Sequence, residues 1–120
     1  MILVDTSIWI EHFRKKNAQL EEILNTRDVM CHPFIIGELA CGSIKNRKEI
    51  LSLMEALPTG YKASHDEILE LIEKRKLMGK GLGFIDMHLI ASAFLSDVLL
   101  WSLDKSLHKA AVELKIEYAY

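Results

Sequence analysis

Four acidic residues of this chain follow apolar runs or lie among apolar residues, where a carboxylate is costly to bury. Asp5 directly follows the apolar run 2–4, and Asp104 follows the apolar run 98–101. If both runs are strands of one parallel sheet, both carboxylates emerge at its C-terminal edge, where open α/β sheets place their ligands. Carboxylate oxygens gathered at one edge would suit a hard divalent cation.

The other two acids, Glu38 and Asp86, lie within helical patterns on faces that are otherwise apolar. Asp86 shares its face with Leu89, Ile90 and Ala93, so a lone carboxylate there would be costly to bury. Two carboxylates held about 4 Å apart repel by roughly 4 kcal/mol at an effective dielectric of about 20, so gathering four of them opposes folding unless a cation is present. An all-carboxylate site is typical of Mg²⁺ or Mn²⁺, and the histidines and cysteines show no spacing that zinc favours.

Each acid also has a purely structural interpretation. Asp5 and Asp104 precede predicted helices, where an aspartate most often caps the free backbone N–H groups. Ser7 and Ser106 can cap those helices instead, which would leave both carboxylates free to face the sheet edge. Asp86 can also be a favourable first-turn charge and Glu38 a residue at the helix boundary, although a first-turn position does not account for an inward direction.

Short apolar runs alternate with helical patterns along the chain, and no linker or repeat divides it. This alternation predicts one α/β domain, residues 1–120, with a parallel sheet covered on both faces. The predicted strands are 1–4, 29–31, 61–63, 98–101 and 116–118. The predicted helices are 7–14, 18–25, one opened by Pro33 and ended near Gly42, 47–56, one opened by the capping box of Ser64 and Glu67, 84–95 and 105–114.

Composition narrows the classes of protein further. No apolar stretch approaches the roughly 20 residues that span a bilayer, so we expect a cytoplasmic protein with no membrane contact. Cys31 and Cys41 sit in apolar company and are expected to be buried and reduced, and the histidines to be exposed or half-buried. The net charge is −2, but setting the four acids aside leaves 13 acidic against 15 basic residues, a slightly basic surface that weakly indicates phosphate contacts.

Four short motifs follow one another along the chain. They are Asp5-Thr6-Ser7 after a strand, Gly37-Glu38-Leu39 in a helix, Phe84-Ile85-Asp86 followed by Ile90-Ala91, and Ser102-Leu103-Asp104-Lys105 after another strand. In type, order and interval these motifs resemble those of PIN-domain ribonucleases. Within that family, the length and motif order resemble the VapC-type toxins of toxin–antitoxin pairs, and the resemblance covers essentially the whole chain.

This resemblance implies a three-layer α/β/α sandwich with a central, mostly parallel sheet. It implies that Asp5, Glu38, Asp86 and Asp104 are both the catalytic residues and the ligands of Mg²⁺ or Mn²⁺. The implied activity is cleavage of RNA by a metal-activated water. The implied partners are the RNA substrate, a cognate antitoxin protein and a second copy of the chain in a homodimer.

The resemblance also draws attention to residues near the motifs. Thr6 and Ser102 match hydroxyl positions that would orient a carboxylate or a metal-bound water. Arg14, Lys80 and Lys105 lie near the motifs and are candidates for holding neighbouring phosphates. His88, just after Asp86, is unusual for the family and has no assigned role.

Other classes of protein fit the residues less well. A receiver domain needs paired acids after its first strand, but Asp5 is followed by Thr6, and an Asp-x-Asp phosphatase would need an aspartate where Ser7 stands. A catalytically inactive module of PIN fold that binds RNA without cutting it is the alternative that the residues leave open. A metal-dependent cleavage assay separates that module from a nuclease.

Overall fold

Three short apolar segments form a parallel sheet at the centre of the computed structural model, which describes residues 1–119. The strands are β1 (Ile2–Val4), β2 (Val29–Met30) and β3 (Leu99–Trp101), in the order β2-β1-β3. All of β1 is buried, as expected for a central strand covered on both faces. Val4 pairs with Trp101, so β1 and β3 end side by side, and the residues after these two strands meet at one edge of the sheet.

Helices cover both faces of the sheet, which confirms the predicted three-layer α/β/α fold with a parallel sheet. They are α1 (Thr6–Lys15), α2 (Ala18–Asn25), α3 (Pro33–Cys41), α4 (Arg47–Glu55), α5 (His65–Arg75), α6 (Phe84–Ser96) and α7 (Lys105–Glu113). The starts predicted from local chemistry are confirmed, because Pro33 opens α3 and Ser64 and Glu67 form both hydrogen bonds of a capping box. Within residues 1–119, no helix is both long enough and apolar enough to cross a bilayer.

Helix α6 is the most deeply enclosed element. It packs against α5 and against β3, and every residue from Met87 to Ala93 is buried. A helix that is apolar all round is buried all round, so its sequence period does not tell which side faces the sheet.

One predicted strand is wrong and another is confirmed only in part. Residues 61–63 pair with no strand among the described residues, because the chain has already crossed the sheet edge at Thr59, which bridges Cys31, and the N–H of Tyr61 is satisfied by Ser96 Oγ at 2.9 Å. The segment 116–118 is reduced to a single parallel bridge between Leu100 and Glu117.

The predicted burial of the cysteines and histidines needs correction. Cys31 is buried as predicted, but Cys41 is exposed because α3 ends there. His32 and His88 are buried rather than exposed or half-buried. His32 is the N-cap of α3, where its Nδ1 accepts a hydrogen bond from Phe34 N at 3.0 Å, and His88 belongs to the enclosed stretch of α6. Burial lowers the pKa of both imidazoles, that of His32 to about 4, so both are neutral at pH 7.

Candidate active site

Asp5 is held at the end of β1 by two serine hydroxyls. Its backbone N–H donates to Trp101 O at 2.9 Å, which continues the ladder between β1 and β3 by one residue. Its side chain is buried, and Oδ2 accepts hydrogen bonds from Ser7 Oγ and Ser102 Oγ, both at 2.7 Å. No hydrogen bond from residues 1–119 reaches Oδ1, so one oxygen of the carboxylate stays available.

The same two hydroxyls tie Asp5 to the loop between β3 and α7. Leu103 N–H donates to Ser7 Oγ and Asp104 N–H donates to Ser102 Oγ, each at 3.0 Å. A serine hydroxyl has only one proton, and each serine directs it to Asp5 while accepting from the loop. The two chain segments after β1 and β3 are therefore joined around one carboxylate.

Asp104 caps α7, so the structural interpretation of this acid is confirmed and Ser106 does not take its place. Asp104 Oδ1 accepts from Leu107 N–H at 2.9 Å, because Asp104 occupies the N-cap position itself while Ser106 is already inside the helix. The carboxylate is exposed, and within the described residues its Oδ2 has no hydrogen-bond partner.

Asp86 lies in the first turn of α6, where the charges of Asp5 and Asp104 affect its carboxyl group. It is half-buried, and its Oδ2 accepts from Gly83 N–H at 2.9 Å. Burial raises the pKa of Asp86, the Gly83 N–H opposes that shift, and the negative charges of Asp5 and Asp104 raise the pKa further. The charges of Asp5 and Asp104, which come from separate parts of the chain, thus both act on Asp86.

Glu38 lies on the exposed side of α3, so the prediction of an inward, apolar face is wrong. Ile35 and Leu39 fill the core from this helix, while Glu38 Oε1 accepts a hydrogen bond from Thr6 Oγ1 at 2.7 Å. Thr6 begins α1 directly after Asp5, and α1 packs against α3. The contact with Thr6 thus connects Glu38 to the residue next to Asp5.

The four carboxylates are chemically suited to bind a hard divalent cation, although their side chains are not arranged around a common point. Every candidate donor is a carboxylate oxygen, and Asp5 and Asp104 each keep one oxygen that no described residue occupies. No three histidine, cysteine, aspartate or glutamate side chains within residues 1–119 are arranged as metal ligands. Mutual repulsion of the carboxylates favours such separation when no cation is bound.

Comparison with known proteins decides the family. The sequence profile described as PIN domain matches residues 2–113. The chain belongs to the PIN-domain family. It is 45% identical over 120 residues to two proteins named Ribonuclease VapC32, from Mycobacterium tuberculosis strains CDC 1551 / Oshkosh and ATCC 25618 / H37Rv, with 99% of this chain and 97% of each relative covered.

Two solved structures show the same fold at low sequence identity. The structure of FitAB bound to an IR36 DNA fragment superposes with a TM-score of 0.64 at 18% identity, covering 93% of this chain and 91% of that chain. The crystal structure of PAE2754 from Pyrobaculum aerophilum gives a TM-score of 0.59 at 18% identity, covering 95% and 88%. Both likenesses establish a PIN-like fold for this chain.

The basic residues chosen from the sequence are spread unequally around the PIN-domain site. Lys105 directly follows Asp104, is exposed, and lines a cavity of about 290 Å³ with Ser102 and His108. Lys80 forms an ion pair with Glu113 at 3.1 Å, which occupies its charge. Arg14 lies toward the far end of α1, about 13 Å along the helix axis from Asp5.

Ser7 is the site residue that sequence reasoning misses. Its position after a strand suggests a helix cap, whereas its hydroxyl donates to Asp5 and accepts from Leu103. The signal is its position two residues after an aspartate at a strand end, where the first helical turn brings the hydroxyl back toward the carboxylate. That contact depends on the loop after β3, which no local pattern describes.

Proposed function

We propose that this PIN-domain protein is a metal-dependent endoribonuclease and the toxin of a toxin–antitoxin pair, acting in the cytoplasm. The observation that carries the proposal is the joining of the Asp5 and Asp104 segments through Ser7 and Ser102 at the edge where β1 and β3 end. The relatives named ribonuclease, at 45% identity over nearly the whole chain, support RNA as the substrate.

Asp5, Glu38, Asp86 and Asp104 would together hold Mg²⁺ or Mn²⁺. When bound, such an ion supplies Lewis acidity toward water and toward the scissile phosphate. The chain's own residues prepare the site. Ser7 and Ser102 engage one oxygen of Asp5 and leave the other without a hydrogen-bond partner among the described residues, and Thr6 orients Glu38.

Charge distribution supports a phosphate substrate and a basic inhibitor. Lys105 would hold a phosphate beside the site, because it is exposed next to Asp104. A cognate antitoxin would lay a chain segment across the sheet edge that carries the acids and offer an arginine or lysine to the carboxylates. The toxin would act as a homodimer, which light scattering of the purified protein tests.

The test of the activity is an RNA-cleavage time course with Mg²⁺, Mn²⁺ or EDTA. We expect cleavage only with a divalent ion, and products with 5′-phosphate and 3′-hydroxyl ends. Activity that survives EDTA, or products ending in a 2′,3′-cyclic phosphate, would contradict attack by water. Binding of RNA without any cleavage would favour the inactive module instead.

The test of the toxin role is growth. Expression of the chain alone in bacteria should arrest growth, and Asp5→Ala should relieve the arrest because it removes the buried carboxylate of the site. Equal growth with both proteins, each confirmed to be soluble, would count against a toxin.

A further inference from the structure

Phe84 is a large apolar side chain exposed at the start of α6, the helix that carries Asp86. It is the first residue of α6 and is 46% exposed, although the same helix is buried from Met87 to Ala93. It precedes Asp86 by two residues in the same helical turn. A second phenylalanine, Phe34, lies one turn before Glu38 in α3, on the same side of that helix. Two of the four acids therefore each have an aromatic neighbour on their own helix.

A buried histidine joins the two phenyl rings. The ring centroid of His88 lies 4.6 Å from that of Phe34 and 5.0 Å from that of Phe84, and both contacts are close to perpendicular. His88 is only 4% exposed, so it supports the rings from beneath rather than forming part of the surface. We call Phe34 and Phe84 the aromatic pair.

A lysine and a histidine lie next to the aromatic pair. Lys62 Nζ lies 5.2 Å from the centroid of Phe34, and within residues 1–119 it forms no ion pair. The exposed ring of His65 lies 5.6 Å from that of Phe84. The chain just before Lys62 packs closely on α6 at Gly60, where a Cβ would lie 2.4 Å from Ser92 Oγ.

We propose that the aromatic pair is a base-stacking subsite, in which Phe84 stacks on an unpaired nucleobase beside the scissile phosphate and Lys62 contacts a neighbouring phosphate. The proposal rests on the proposed nuclease function and specifies its substrate as single-stranded or looped RNA. Stacking needs an open base face, which a base inside a duplex does not offer. An exposed aromatic ring with a nearby uncommitted cation matches both parts of a nucleotide.

The experiment measures binding in EDTA to an unstructured RNA oligonucleotide carrying 2-aminopurine, whose fluorescence falls when the base stacks. For Phe84→Ala we expect loss of the quenching and binding weaker by about 5- to 150-fold, the range for one lost base stack. Phe84→Trp should retain both signals, whereas Phe84→Leu should behave like Phe84→Ala. Binding of the same RNA as a blunt duplex should be equal in all of these proteins.

Matched controls separate stacking from general effects. Leu95→Ala removes a side chain that is 51% exposed on the same helix, and it should leave binding unchanged. Lys62→Ala should reduce the slope of log affinity against log salt by about 0.7, the value for one phosphate contact on a single strand. Lys48→Ala, exposed on α4, should not change that slope.

The outcomes distinguish the subsite from the nuclease function. If wild type cleaves RNA but Phe84→Ala binds and quenches as wild type does, the subsite is overturned and the nuclease stands. If Phe84→Leu matches wild type, an aliphatic side chain suffices at this position and base stacking is overturned. If wild type neither binds nor cleaves RNA, both proposals fall.

Discussion

The two sides of the acidic edge are built differently. On the sheet side, Asp5 is 7% exposed and two serines hold one of its oxygens, each serine being anchored in turn by a backbone N–H. On the helix side, Glu38 is exposed and is held by the single hydroxyl of Thr6. The two groups carry the same charge, but one is immobilised and the other is free to adjust.

This difference arises from the elements that carry the two acids. The end of a central parallel strand is fixed by the ladders on both sides, so a residue there begins with little backbone freedom. A glutamate on the solvent side of a short helix keeps most of its rotamers, and ordering it costs up to about 2 kcal/mol. We therefore expect the sheet side to define the position of a cation and the helix side to complete the site when the cation and RNA bind.

The largest effect should come from Asp5→Asn on the immobilised side. Loss of this charge should reduce the RNA-cleavage rate in Mn²⁺ by about 10³-fold, which corresponds to about 4 kcal/mol of transition-state stabilisation. Asp97→Asn is the matched control, because Asp97 is exposed in a left-handed conformation at the opposite end of α6, which asparagine also adopts. Cleavage by Asp5→Asn at the control rate would remove Asp5 from the site.

A smaller loss should result from removing the serines that hold Asp5. Ser102→Ala and Ser7→Ala should each lower the cleavage rate by about 10- to 100-fold, the range for residues that orient metal ligands. Because both hydroxyls donate to the same oxygen, the double variant should lose less than the product of the two single losses. Ser52→Ala, exposed on α4, should have no effect, and strictly multiplicative losses would indicate that the serines act separately.

Thr6→Val tests the adjustable side and should cost less. The change keeps the shape of the side chain but removes the donor to Glu38, and an exposed hydrogen bond of this kind contributes about 0.5–1.5 kcal/mol, or about 2- to 10-fold in rate. Thr26→Val at the end of α2 is the control. A loss equal to that of Ser102→Ala would show that the two sides are equally rigid, which would contradict the difference inferred between them.

The sequence predicts the immobilised side better than the adjustable one. Apolar runs that end in an acid place Asp5 and Asp104 at one edge, because parallel neighbouring strands end together, and this arrangement is confirmed. The starts of α3 and α5 are predictable since Pro33 and the Ser64 capping box act within a few residues. Both inferences depend only on local chemistry and on the rules of strand pairing.

The direction of a helical side chain depends on tertiary packing, and the sequence pattern does not predict it for Glu38 or Asp86. The helical pattern assigns Glu38 to an apolar face, but α3 buries only the side that carries Ile35 and Leu39. For Asp86 the pattern is ambiguous, because α6 is apolar all round and its period does not distinguish the edge from the core. The contact of Ser7 with the loop after β3 joins residues that are 96 apart in sequence.

Asp86→Asn should abolish RNA cleavage because it removes a ligand of the cation, and the smallest effect expected is its effect on the stability of the metal-free protein. The folded protein raises the pKa of Asp86 above its ordinary value of 3.8, so the folded state binds this proton more tightly than the unfolded state does. The contribution of Asp86 to the stability of the metal-free protein should therefore decrease as the pH rises above about 3.8. Asparagine keeps an acceptor for Gly83 N–H but carries no charge, so the variant should lack this part of the pH dependence.

Thermal unfolding in EDTA between pH 3.5 and pH 7 measures the difference. Asp86→Asn should melt with wild type at the acidic end and a few degrees above it at pH 7, since each kcal/mol of relieved repulsion raises the melting temperature by about 3–6 °C in a domain of this size. Asp97→Asn should match wild type throughout. If Asp86→Asn instead melts below wild type at pH 7, the charge of Asp86 stabilises the start of α6 more than the other acids oppose it. The carboxylates would then be independent side chains at one edge of the sheet, and the inference that they form a single site would fail.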